Sequence, residues 1–163
     1  MVADAPTLLV RHAGLDDLST VNAIVDGAID TWQLPERVRR LSAPSLRYGR
    51  VDLSHMEILL AEDETGQAVG AAALEHADAV DTPEACSALL LHGLYVTPAR
   101  QRRGVGASMV CHVMGIARAR GVEGVSTRVW RESEAFFVAL GFAAFGDAAK
   151  ASRHPRRMWK PLS

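Results

Sequence analysis

The spacing of apolar positions changes along this chain, and each change predicts a different element. TLLVRHA opens as a short strand. Leu18, Val21, Val25, Ala28 and Trp32 then recur at helical spacing, so GLDDLSTVNAIVDGAIDTW predicts a helix with one buried face. Asp16 or Asp17 stands where a carboxylate caps the first free N–H groups. LPERVRRLSAPSLRYGR predicts a weaker helix broken by Pro44 and Gly49. Beyond it, MEILLAED and AVGAAALEHA flank the turn ETGQ as two antiparallel strands. After the acidic connector DAVDTPEA, the run CSALLLHGLYV is apolar without alternation, as in a central strand covered on both faces, and it stops at Thr97 and Pro98.

From Gly104 to Arg120, the positions Gly106, Val110, Val113, Met114 and Ala117 form a helical stripe closed by Gly121 as C-terminal cap. GVSTRVW follows as a strand of β-branched residues. Strand, helix and strand in that order predict a right-handed crossover between parallel strands. SEAFFVALG reads as a short helix, and FAAFG and RRMWK as the last strands. The fold class is therefore α/β, with a mixed sheet that is antiparallel at first and parallel at its centre, flanked by helices. No repeat, linker or low-complexity segment divides it, so residues 1–163 are expected to form a single domain.

Composition narrows the function. An apolar content of 48% supports one well-buried core, and a formal net charge of -1 gives no general attraction to nucleic acid or to an anionic membrane. Arg100, Arg102 and Arg103 then read as a local device. Cys86 and Cys111 form no C-x-x-C pair and are expected to pack as small hydrophobes in a reducing compartment. MVADAPTLLV has neither the basic nor the apolar region of a leader, and no run approaches the roughly 20 apolar residues of a membrane span, so the expected location is cytoplasmic. His12, His55, His76, His112 and His154 show no metal-ligand spacing, and no metal is expected.

The stretch TPARQRRGVGASMV carries the most chemistry. A strand that delivers a glycine-rich turn to a helix start leaves several backbone N–H groups pointing one way, and the helix dipole adds roughly half a positive charge there. Gly104 and Gly106 let an anion approach the main chain, while Arg102 and Arg103 can neutralise it from the rim. A helix cap with a solvated basic rim reads the same residues. A nucleotide P-loop is excluded because no lysine follows the glycines, and the dinucleotide fingerprint fails at Met109, which stands where a third glycine is needed.

LYVTPARQRRGVGASMV resembles the acetyl-CoA signature [QR]-x-x-G-x-[GA] of the GNAT N-acetyltransferases, here Gln101, Arg102, Arg103, Gly104, Val105 and Gly106. AFFVALGF, about 30 residues later, is similar to the family's A-x-F-Y-x-x-x-G-F segment, and the order of elements matches along nearly the whole chain. The resemblance implies the GNAT fold, with the two central parallel strands splayed and the pantetheine of coenzyme A in the gap. It implies acetyl-CoA as donor, with the peptide amides from Gln101 to Ala107 on the phosphates and main-chain groups of Leu94, Tyr95 and Val96 along the pantetheine. Ser133, Phe136 and Phe137 are implied as further cofactor contacts.

Acetyl transfer to an amine needs a neutral nitrogen, and an alkylamine near pKa 10 is protonated at pH 7, so a base or a water relay is required. His92, four residues before Val96, stands where some family members carry a catalytic histidine or carboxylate; a histidine bonded to backbone within the sheet is the other reading. Glu75 is a second candidate base, or a solvated strand-end glutamate. The resemblance implies an oxyanion held by a main-chain N–H near Val96. The family's usual acid is the tyrosine of the F-Y pair. This chain has Phe136 and Phe137 there, so Tyr95, a water or no acid at all must serve the departing thiolate.

Glu75, Asp78, Asp81 and Glu84 could draw a cationic amine or simply solvate a loop. Trp32 and Leu34 fit an apolar lid or the core, and Trp130 and Trp159 are expected to pack. The reading is an acetyl-CoA-dependent N-acetyltransferase that acylates a primary amine of a small molecule or peptide by direct attack in a ternary complex, with neither cysteine activated as a nucleophile. Its rival is an acetyl-CoA or CoA sensor with weak catalysis. No nucleic-acid or membrane partner is expected, and a homodimer is among the assemblies the chain allows. Acceptor identity and acyl-chain preference have no readable motif.

Overall fold

A computed structural model of the chain describes residues 5–146 and 155–162. Among them the elements run β1 (Leu9–His12), α1 (Leu18–Ile29), α2 (Glu36–Leu46), β2 (Glu57–Glu62), β3 (Ala68–His76) and β4 (Ala88–Val96). These are followed by α3 (Val105–Ala119), β5 (Gly124–Val129), α4 (Arg131–Ala139), β6 (Ala143–Ala144) and β7 (Arg156–Pro161). The strands form one mixed sheet in the order β1-β2-β3-β4-β5-β7-β6. β1 and β2 are antiparallel, and β4 and β5 are parallel, as the strand–helix–strand order predicts. The parallel ladder is registered from Ala88 with Gly124 to Leu91 with Thr127, and β4 continues for residues 92–96. Its burial changes at the same point: Ala88 to Leu91 are buried, while His92 is exposed. The expectation of a strand covered on both faces thus holds only for its first half. By their contacts the residues divide into two compact units, Met1–Ala73 with Gly93–Val110 and Leu74–His92 with Cys111–Ser163.

In the first unit, α1 buries Val21, Ile24, Val25, Ala28 and Ile29 against Ile58 and Leu60 of β2 and Ala71 and Ala73 of β3. Each large side chain so buried contributes about 1.5–3 kcal/mol before entropy is counted. Tyr48 and Tyr95 belong to the same cluster, and Trp32 packs against its edge. Asp17 holds the N-cap position of α1, but no side-chain capping bond forms. Its carboxylate instead accepts from Arg11 at 2.9 and 3.0 Å and from the Gly14 N–H at 2.8 Å. The hydrogen bond from Arg11, then that from Gly14, holds it near pKa 2. α2 also departs from expectation, because it runs past Pro44 to Leu46. The helix buries no residue, so water can satisfy the carbonyl that loses its N–H partner. The chain after α2 is fixed to α1 by Arg47, bidentate to Asp26 at 2.8 and 3.0 Å, and by Asn22, whose carboxamide bonds both the N–H and the carbonyl of Tyr48 at 2.8 Å.

The second unit buries Leu89, Leu90 and Leu91 of β4, Val125 and Val129 of β5, Met158 of β7, and Phe137 and Phe142 around α4. Phe137 meets Phe136 and Phe142 edge to face at 5.0 and 5.2 Å between centroids. β7 runs antiparallel along β5 from Val129 with Arg156 to Gly124 with Pro161, and the Trp159 ring closes over Gly124, as packing predicts. Trp130 departs from expectation, being 47% exposed at the N-cap of α4. Cys111 also stands exposed rather than packed, since it leaves α3 on the face away from Val113, Met114 and Ala117.

Candidate active site

The segment between β4 and α3 lies within the first unit, and its backbone is unusual at two places. Arg102 has φ +61 and Gly104 φ +85, both in the left-handed region. A β-carbon makes that region costly for arginine, and strain of this kind collects where a loop must shape itself around a ligand. Left-handed residues alternating with others turn successive N–H groups inward as an anion nest. α3 begins immediately afterwards at Val105, adding the N–H groups of a helical first turn. At Gly104 a Cβ would also stand in tight contact with Pro6, 3.3 Å from its Cδ. Arg102, Arg103 and Gly104 are exposed, while Val105 is buried and anchors the start of the helix.

The other polar groups of the segment hold it in place. Arg100 is separated from the rim, because its guanidinium pairs with Asp63, whose side chain is 7% exposed in the β2–β3 turn. The same carboxylate accepts from Thr65 N, Thr65 Oγ1 and Gln67 N, and these hydrogen bonds, that of the Thr65 side chain first, keep it below the usual carboxylate range. Gln101 turns its amide inward, donating to the Val96 carbonyl at 3.0 Å and to Thr31 Oγ1 at 3.4 Å. The segment is thereby tied to the end of β4 and to Thr31, two residues past α1.

Gly93, at the start of this half of β4, is covered by two phenols. A Cβ at Gly93 would collide with Tyr48 Oη and would lie 2.8 Å from Tyr95 Cε2. The two hydroxyls are hydrogen bonded; burial pushes Tyr95 above its ordinary pKa, and the bond with Tyr48 works against that rise. Sequence reasoning selected Tyr95, but nothing in it marked Tyr48, Asn22, Asp63 or Thr31. The Asp63 turn carries a local signal, since a carboxylate two residues before a threonine N–H is an Asx turn. Tyr48 carries none.

The second unit places the remaining candidates. His92 is exposed on β4, and Glu75 is half-buried near the end of β3. Ser133 lies in the first turn of α4, where its N–H bonds the Trp130 carbonyl. Phe136 is 37% exposed and Phe137 buried, so only the first has an accessible ring. The acidic connector is altered by one finding. Asp81, 1% exposed, is gripped by Arg128 at 2.9 and 2.5 Å and approached by Arg157 at 3.5 Å. The Arg128 hydrogen bonds, the largest cause, hold it below the usual carboxylate range, and its charge is already answered. Asp78 and Glu84 remain exposed, and Glu75 acts through space on Arg128. Among the described residues no group of histidine, cysteine or carboxylate side chains could hold a metal, and no helix is long and apolar enough to cross a membrane. His154 lies outside the described residues.

A mixed sheet with a parallel central pair, whose strand β4 leads through a left-handed turn into α3, defines an α/β protein. The sequence profile of the acetyltransferase (GNAT) domain matches residues 54–144, more than half of the chain, and the protein belongs to that family, whose donor is acetyl-CoA. Among solved structures, a GCN5-related N-acetyltransferase from Rhodopseudomonas palustris is similar at TM-score 0.73 and 22% identity, over 99% of this chain and 98% of that one. The PaiA N-acetyltransferase from Thermoplasma acidophilum, solved with coenzyme A, reaches TM-score 0.75 at 14% identity, over 95% and 99%. AtaTR, solved with acetyl-CoA, reaches 0.61 at 17%, over 95% and 93%. No curated protein matches the chain in sequence.

Proposed function

We propose that this acyltransferase moves the acetyl group of acetyl-CoA to a primary amine of a small molecule or peptide, by direct attack within a ternary complex. The observation that supports the reading is the left-handed backbone at Arg102 and Gly104, a geometry in which the N–H groups from Gln101 to Ala107 would face a diphosphate. Arg102 and Arg103 would neutralise it from the rim. Leu94, Tyr95 and Val96, on the stretch of β4 beyond its registered ladder, would offer main-chain groups to the pantetheine. Ser133 and the accessible Phe136 are candidate further contacts. Phe137, being buried, would support Phe136 rather than touch the cofactor.

When bound, acetyl-CoA supplies an acyl carbon activated as a thioester. The residues of the chain then have separate tasks. His92 would take the proton that the amine must lose, with Glu75 as the second candidate. A main-chain N–H near Val96 would stabilise negative charge at the carbonyl oxygen, and Tyr95 would hold a proton for the leaving sulfur. The exposed Asp78 and Glu84 favour a cationic acceptor.

Two measurements test this. Calorimetry should register CoA binding, and thiol release from acetyl-CoA should rise above the hydrolytic background with at least one member of a panel of polyamines, amino acids and peptides. His92→Ala should flatten the acid limb of the pH–rate profile, because the amine's proton would no longer pass through an imidazole. Binding without amine-dependent release would leave a sensor and end the transferase reading.

A further inference from the structure

The chain has only two tyrosines, and both converge on one glycine. Tyr48 and Tyr95 are 5% and 7% exposed in a cluster otherwise made of Val21, Ile24, Val25, Ala28, Ile29, Ile58, Leu60, Ala71 and Ala73. Phenylalanine at both places would fill the same space, and replacing a buried hydrogen-bonded pair by apolar groups of the same shape is close to neutral for stability. The core alone therefore gives no reason for two hydroxyls. Their position is specific. Tyr48 Oη lies over Gly93, where β4 has left its registered ladder and a side chain would displace the phenol. Tyr48 itself cannot drift, because Asn22 clamps its peptide from both sides and Arg47, its neighbour, is locked to Asp26.

We propose that Tyr48 is a positioning residue for acetyl transfer, its hydroxyl orienting the Tyr95 phenol over Gly93 and supporting that phenol as it gives up its proton to the departing thiolate. The inference rests on the transferase reading above. In the step, the acceptor nitrogen bonds to the acyl carbon, the carbon–sulfur bond breaks, and its electron pair goes to sulfur. Tyr95 gives its proton to that sulfur and becomes a phenolate that accepts a hydrogen bond from Tyr48. The proton lost by the amine, returned through solvent, restores Tyr95. A phenol and a thiol differ by roughly 1.5 pKa units in water, against the transfer, so a donor to the phenolate has a definite use. Among the described residues the apolar cluster around Tyr95 holds no other ionisable side chain, and the Arg47–Asp26 pair lies at the surface.

Tyr48→Phe, Tyr95→Phe and the double variant separate the outcomes. All three should stay folded and bind CoA with wild-type affinity. Tyr95→Phe should lower kcat about a hundredfold, and Tyr48→Phe about tenfold, with KM for the amine unchanged. The double variant should be no slower than Tyr95→Phe, because Tyr48 acts through Tyr95. Ultraviolet titration gives a readout independent of turnover. In Tyr48→Phe the one remaining tyrosine is Tyr95, and it should ionise at higher pH than the Tyr95 of the parent, carrying the alkaline limb of the rate profile with it. Wild-type kcat in Tyr48→Phe, or additive losses in the double variant, would overturn the proposal while leaving the transferase intact. A wild-type protein that releases no thiol with any amine would overturn both.

Discussion

At the scale of single residues, the proposed cradle rests on backbone shape, with Arg102 and Gly104 both left-handed. Gly104→Glu should bring a left-handed glutamate, costing about 1–2 kcal/mol, and a negative charge to the place proposed for the diphosphate. CoA affinity should fall by at least about a hundredfold in calorimetry while circular dichroism remains native. Unchanged affinity would mean that the phosphates lie elsewhere. Gly104 and Gly106 were legible because glycine spacing encodes local backbone, which a linear pattern can carry. Arg102 was not, since an arginine gives no sign that its φ will be positive. Arg100 read with Arg102 and Arg103 as one local basic device, and its pairing with Asp63 was not legible because that partner lies 37 residues upstream and pairing at that distance leaves no periodic trace. Tyr48 escaped for the same reason, lying 45 positions from Gly93 on a segment with no strong pattern.

At the scale of elements, the strands and helices followed the apolar spacing closely, down to the parallel pair joined through α3. Departures came where a polar residue had more than one use. The spacing offered Asp16 or Asp17 as the cap of α1; Asp17 takes the position but its carboxylate is held by Arg11, a stronger donor than a helix N–H. The β3–β4 connector was read as solvated or substrate-facing, but Asp81 anchors it to Arg128 of β5 and Arg157 of β7. Asp81→Asn keeps the shape and loses the charge. We expect a cost of about 1–3 kcal/mol in urea unfolding at pH 7, toward the lower end because Arg128 is 44% exposed and its charge is screened by water. The gap between the two proteins should close as pH falls through the depressed native pKa of Asp81, since the wild-type carboxylate is then protonated as well. A gap that persists in acid would assign the loss to packing.

For the whole molecule, the ionisable groups predict a plateau of stability with two edges. Asp17, Asp63 and Asp81 all titrate lower in the native state than their ordinary value near 3.8. Below that value the unfolded chain binds protons that the native state refuses, so their contribution is full above pH 4 and is lost as pH falls toward about 2, the value for Asp17. Tyr95 sets the opposite edge. Its native pKa is raised by burial, so the unfolded phenol ionises first and stability declines above about pH 10. Melting temperature against pH should therefore be nearly flat between these limits in its dependence on these four groups. A protein with its full neutral melting temperature at pH 2 would contradict the assignments of all three carboxylates.

The Asp63 carboxylate serves two masters, the tip of the β2–β3 turn and the guanidinium of Arg100. Anyone splicing residues 97–107 into a foreign scaffold would transplant the left-handed turn without its tether, and the severed arginine would swing into solvent. The smallest portable cassette therefore begins upstream of that turn, and recombination between relatives should tolerate crossovers before Asp63 far better than crossovers between it and Arg100.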